Sequence, residues 1–132
     1  MSVFEHAATA GVPPVDVVPL GGLGEFGLNM MAISCGETTI VIEAGAMFPE
    51  TDLPGVDLIV PDLAYLENRK GQLKALVLTH AHEDHIGGVP YVLPHLHGAM
   101  YGTALTLGFV QNKLNEHELE PQIVEIKPGS VI

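Results

Sequence analysis

An α/β architecture, a mixed β-sheet with flanking helices, is what this chain predicts, and three features carry the expectation. The first third holds three short apolar runs rich in valine and isoleucine, spaced as in a meander. From Asp62 onward strand-like and helix-like segments alternate, which places helices outside a sheet. Among them Leu73 to Thr79 (LKALVLT) is a continuous apolar run of strand length, the pattern of a strand buried on both faces.

In chain order, Val15 to Leu20 (VDVVPL) predicts the first strand. It enters a cluster of Gly21, Gly22, Gly24 and Gly27 that must form a tight loop. Met31 to Ser34 and Thr38 to Glu43 then read as a hairpin turned at Cys35-Gly36-Glu37. Ala44 to Pro61 carries three prolines and three acidic residues, so it is expected to be mostly loop with a short strand at Leu58 to Val60. Asp62 is an N-cap candidate for a short helix that turns Leu63, Tyr65 and Leu66 inward and stops near Gly71. Past the apolar run, Gly87-Gly88 leads into a helix with Pro90 in its first turn, reaching Leu96. Thr103 to about Leu119 is the best helical segment, because Leu107, Val110 and Leu114 recur at helical spacing. Ile123 to Ile126 predicts a last strand. Residues 1–14 are expected to be a flexible tail, and residues 15–132 one domain or the first part of one.

The chain has 132 residues, a size that buries roughly two thirds of its unfolded surface. With 47% apolar and only 16% charged residues and a mean hydropathy of +0.32, it is not a disordered chain. No run approaches the roughly 20 apolar residues of a membrane span, and the opening MSVFEHAATAG has no basic region. The expected location is therefore the cytoplasm. Cys35, the one cysteine, excludes an internal disulfide and reads as a small core side chain. The net charge of −11 with five basic residues would repel RNA unless metal ions or further segments supply a positive field.

The chemistry is concentrated in His80-Ala81-His82-Glu83-Asp84-His85. In an extended segment side chains alternate, so His80 and His82 point the same way and can grip one metal ion. A following turn would swing Asp84 and His85 toward a second. Imidazole nitrogen with carboxylate oxygen suits zinc, and manganese is tolerated where oxygen dominates. Two ions about 3.5 to 4 Å apart lower the pKa of a shared water and steady both oxygens of an in-line displacement, which implies hydrolysis. The bland alternative is a histidine-rich surface loop. Its position, directly after a buried strand where open sheets place their ligand sites, argues against that. Glu83 is expected to face away from the site.

Other signals carry less. Gly22 to Gly27 matches G-x-G-x-x-G, but the fingerprint needs a helix at its glycines and Met31 onward alternates like a hairpin. His95 and His97 read as an exposed, unbound pair, and His6 and His117 as solvated. Glu50, Asp52 and Asp57 read as a solvated acidic loop, although hard cations use such oxygens.

PLGGLGEFGLNM, IVIEAGAMFPETDLPGVDLIVPD, LTHAHEDHIGGVPYVLP and YGTALT, taken together, resemble the ribonuclease J family, of the β-CASP group of the metallo-β-lactamase superfamily. The likeness runs from about Val15 to the end. It implies an αββα sandwich, of which this chain would be the amino-terminal part, and 5′-to-3′ exonuclease and endonuclease action on RNA at a two-zinc centre. It further implies that His80, His82, Asp84 and His85 are metal ligands, that Asp84 is catalytic, and that Asn29 pins the glycine loop beside the site. Where the superfamily usually has an aspartate at the end of the TTIVI strand, this chain has Glu43, a longer carboxylate that would orient the metal loop. The family's remaining ligands lie further along than Ile132, so the chain alone is expected to hold an incomplete site with little or no nuclease activity, with RNA as the partner of the intact protein. An uncovered inner sheet face would leave room for self-association. The alternatives are a non-catalytic metal-binding module and another hydrolase of the same superfamily; no dinucleotide or other organic cofactor is expected.

Overall fold

A computed structural model describes residues 11–50 and 53–132. Residues 1–10 of the expected tail, His6 among them, and Asp52 of the acidic loop lie outside the described residues. Six strands form one sheet in sequence order: β1 (Val15–Gly21), β2 (Met30–Cys35), β3 (Thr38–Ile42), β4 (Leu73–Val77), β5 (Ala99–Gly102) and β6 (Gln122–Glu125). The first three pair antiparallel, and β3 through β6 run parallel. The mixed sheet is thus a meander joined to crossover units, as the spacing predicts.

The helical elements are α1 (Ala64–Glu67), α2 (Glu83–Ile86), α3 (Val89–Val92), a 3-10 turn Leu93–His95, and α4 (Ala104–Glu116). Leu63, not the expected Asp62, is the N-cap of α1; Asp62 stands one residue earlier, its Oδ1 accepting the Ala64 N–H at 2.8 Å. That helix is nevertheless a single turn, because the chain must come back at Gly71, where φ is +81°, to start β4. Likewise the helix expected up to Leu96 is one α turn followed by a 3-10 turn, since Pro94 brings no N–H to continue the ladder. Leu58 to Val60 supplies only one bridge, Ile59 to Met47. β5 has no counterpart in the sequence reading; four residues ending at Gly102 are too few for any period to register.

Side chains from alternate strand positions and from the helices close one core. Ala32, Val41, Leu76, Leu78 and Met100 of the sheet segments meet Leu66, Val89, Val92, Val110 and Leu114. Thr103 caps α4, its hydroxyl accepting the Thr106 N–H, which aims the Leu107, Val110 and Leu114 stripe at the sheet. Leu76 is fully buried in this core, so Leu76→Ala is expected to cost about 2–5 kcal/mol. A denaturant midpoint unchanged from the parent chain would disprove that packing role.

The expectation that β4 is buried on both faces is corrected. Leu76 is buried, whereas Ala75 and Val77 are only partly so. The other sheet face carries Val17, Ile33, Ile40 and Ala75 in one row and Pro19, Met31, Ile42, Val77 and Tyr101 in the next. Nothing in the described residues covers it fully: Val15 is 59% and Val17 56% exposed. An apolar run signals two-sided burial only when both layers are present. Cys35, expected in the core, is exposed at the end of β2, where the hairpin turns away from the helices.

Candidate metal centre

The site forms at the carboxyl ends of β3 and β4, where three loops meet. Parallel pairing sets Ile42 opposite Val77, so the residues that follow each strand leave the sheet side by side. Glu43 follows at once, in a left-handed conformation with φ of 63°, one that bulky residues adopt only under constraint. Its N–H donates to Val77 O at 2.9 Å. Its carboxylate oxygens accept the Thr79 N–H at 3.2 and 3.3 Å. The residue before His80 is thereby fixed.

From Thr79 the chain runs extended through His82, the N-cap of α2, and then coils, so Asp84 and His85 sit in a helical turn. His80 Nε2 and His82 Nδ1 lie 3.1 Å apart. His80 Nδ1 is partnered at 2.9 Å by the Thr79 hydroxyl, which leaves Nε2 as the nitrogen aimed at His82. On the other side His85 Nε2 is 3.5 Å from Asp84 Oδ2. The rings of His80 and His85 stand 4.1 Å apart between centroids. All four motif residues predicted to act together are therefore neighbours.

These separations fit a metal. Tetrahedral zinc with bonds of about 2.0–2.1 Å places neighbouring donors roughly 3.3 Å apart. Glu43, His80 and His85 each have a ligand atom within 4.8 Å of the others, which joins a carboxylate from outside the motif to two of its histidines. His82 and Asp84 belong to no group of three or more possible ligands among the described residues, and each instead neighbours one histidine of this group. His85 Nδ1 is buried without a hydrogen-bond partner, 3.7 Å from Glu43 Oε1. A buried ring nitrogen without a partner is costly, and a carboxylate at that edge is how histidine ligands are oriented while the other nitrogen faces the ion.

The glycine loop closes the third side. Asn29 donates from Nδ2 to Asp84 O at 3.1 Å and to Asp84 Oδ2 at 3.2 Å, and Nδ2 is 3.3 Å from His85 Nε2. Its backbone N–H reaches Asp84 O as well, at 3.1 Å. Asn29→Ala is expected to weaken metal binding about tenfold by freeing Asp84; calorimetric titration checks it, and an unchanged affinity would remove Asn29 from this role. The bed beneath is made of close backbone contacts, Gly45 N–H to Asn29 O and Gly88 N–H to Ala44 O at 2.8 and 2.7 Å.

Glu83 faces out of the cluster, as expected, and pairs with Lys113 Nζ at 2.5 Å from α4. Lys113 had no signal in the sequence, since thirty positions separate the partners. Of the acidic loop, Glu50 and Asp57 lie among the described residues and no metal-holding group includes them. His97 and His117 are exposed and His95 half-buried, and none of the three joins a group of three or more possible ligands among the described residues.

Residues 23–114 match the sequence profile of the Metallo-beta-lactamase superfamily. The chain is 48% identical to ribonuclease J of Helicobacter pylori over 106 residues, 80% of this chain and 15% of that protein. It is 43% identical to ribonuclease J of Thermus thermophilus over 118 residues, 86% of this chain and 21% of that protein. Against ribonuclease J2 of Bacillus subtilis the identity is 41% over 120 residues, 89% of this chain and 22% of that protein. The chain thus spans less than a quarter of the length of these relatives. Among solved structures, a diphosphatase from the PhnP family superposes with a TM-score of 0.55 at 15% identity, over 80% of this chain and 40% of that one. Human tRNase Z, short form, superposes at 0.50 and 13% identity, over 84% of this chain and 43% of that one. At such identities these two show a shared fold alone.

Proposed function

Because the chain belongs to the metallo-beta-lactamase superfamily, we propose that it is the amino-terminal part of a metal-dependent hydrolase of RNA phosphodiester bonds, acting as its ribonuclease J relatives are named. The observation that carries this is the pair of donor couples, His80 with His82 at 3.1 Å and Asp84 with His85 at 3.5 Å. Each couple would hold one zinc ion, with manganese the alternative where oxygen donors dominate. When bound, the ions supply Lewis acidity and a water ready to attack at neutral pH.

The chain's own residues do the rest. His80 presents Nε2 because the Thr79 hydroxyl occupies Nδ1. Asp84 would be the catalytic residue, a carboxylate that would help hold an ion and could accept a hydrogen bond from the water the ions supply. Asn29 holds Asp84 on two atoms, and Glu43 orients His85 and the strand end that carries His80. Two of the five cations are already engaged, Arg69 by Asp16 and Lys113 by Glu83. Phosphate neutralisation therefore falls to the bound ions and to segments beyond these four ligands, and the isolated chain is proposed to cleave RNA slowly or not at all. Among the described residues no helix is long and apolar enough to cross a membrane, and a cytoplasmic RNA-degrading role fits the reading, with the open sheet face available for association.

The test is a segment exchange. This chain replaces the matching 106 residues of the Helicobacter pylori ribonuclease J, and the hybrid is given labelled single-stranded RNA. Chelator-sensitive cleavage, lost on Asp84→Asn, is the expected result. A folded hybrid that leaves RNA intact would overturn the reading. Should the hybrid not fold, zinc titration of the chain itself still tests the metal couples.

A further inference from the structure

Beside the metal centre lies a depression of about 310 Å³ lined by Phe26, Met47, Phe48, Glu50, Glu83 and Asp84. We propose that it is a stacking site for one nucleobase of single-stranded RNA, the base next to the phosphodiester held at the metal centre; this rests on the RNA-hydrolase reading above.

Four observations converge on a base. Asp84 belongs both to this wall and to the donor cluster, so the depression is within reach of a group adjoining one held at the cluster. Phe26 is 91% and Phe48 66% exposed, the largest apolar groups left in water anywhere near the site, and such exposure marks a binding surface. The depression itself carries no cation among its lining residues, Glu50 faces it and Glu83 is already paired with Lys113, so it disfavours a phosphate or a carboxylate, while a neutral flat ring meets phenyl faces and the Met47 thioether. The size is at the lower end for small-ligand pockets, roughly 300–1,000 Å³, which suits one ring system and not a folded partner.

The two aromatic residues also stand on fixed backbone. Gly27, next to Phe26, has φ of +99° and lies so close to the other loop that a β-carbon there would come within 2.9 Å of Met47 Cβ. Met47, next to Phe48, is bonded to Ile59 in both directions, N–H to O at 3.0 and 2.9 Å. A platform held this way loses little freedom when a base settles on it. Stacking of this kind is tolerant of sequence, because every base has a π-face.

The experiment is an NMR titration of the isotope-labelled chain in chelator, with adenosine and uridine as neutral probes. Both nucleosides are expected to move the ring resonances of Phe26 and Phe48, and ribose 5-phosphate to leave them in place. Phe48→Ala and Phe26→Ala are each expected to weaken adenosine binding about tenfold, and Phe48→Trp to retain it within about threefold. Both side chains are exposed, so the variants should keep the parent's amide spectrum away from the loops. Ring signals unmoved by nucleoside, or unchanged affinity in both alanine variants, would overturn the proposal. So would cyclohexanol moving the rings as strongly as adenosine, which would assign the patch to an apolar polypeptide segment. Since no metal is present, this outcome is read separately from zinc binding and from RNA cleavage by the hybrid.

Discussion

Replacing His80 with alanine is expected to raise the zinc dissociation constant of this chain about 100-fold. Structural zinc sites yield roughly 10–16 kcal/mol from four ligands, or about 3 kcal/mol for each. His80 is the residue common to both groupings, 3.1 Å from His82 Nδ1 and a member of the cluster with Glu43 and His85, so its loss opens both at once. The side chain is not part of the hydrophobic core, and the metal-free fold should survive. Thermal scans provide an independent measure. Zinc at 100 times its dissociation constant stabilises the parent by about 2.7 kcal/mol, a rise of about 10 °C, whereas in His80→Ala the same zinc gives about 0.4 kcal/mol. Equal zinc-induced shifts in parent and variant would mean that the imidazoles are not the ligands.

Gly45→Ala is expected to destabilise the chain by more than about 4 kcal/mol, a loss reserved for a few mechanisms. A β-carbon at Gly45 would run into Asp84 O and stand 2.5 Å from Asn29 N, both backbone atoms. No rotamer change can relieve such contacts; only separation of the three loops can. The same separation would pull Asp84 from Asn29, so zinc affinity should fall along with the melting temperature. Gly108→Ala is the control. It lies within α4 with nothing inside 4 Å of its added carbon, and the exchange should stabilise the helix by about 0.5–1 kcal/mol. Similar melting temperatures for Gly45→Ala and the parent would show that the close approach is not tight.

Legibility in the sequence follows the range of the interaction. The hairpin of β2 and β3 and the stripe on α4 were readable because each depends on residues a few positions apart, and the start of α1 was readable to within one residue. β5 and α2 were not, since four residues span barely one helical period and only two strand periods, too few to register. The two-sided burial of β4 failed for another reason: hydrophobicity records what a strand is suited to meet, and one of the two layers is not among the described residues. At the site, the four motif residues could be grouped from their spacing, and the outward turn of Glu83 followed from the same periodicity. Its partner Lys113 did not.

By itself the sequence determined that three imidazoles and an aspartate leave an apolar strand together, because an extended stretch followed by a turn fixes their directions over six residues. Only the tertiary structure decided what surrounds them. Parallel pairing of β3 with β4 brings Glu43 against Thr79 and His85, and the glycine loop brings Asn29 across 55 positions onto Asp84. Such contacts depend on strand order and register, which no local pattern encodes, and on backbone approaches as close as that at Gly45, which are defined only when the loops are in place.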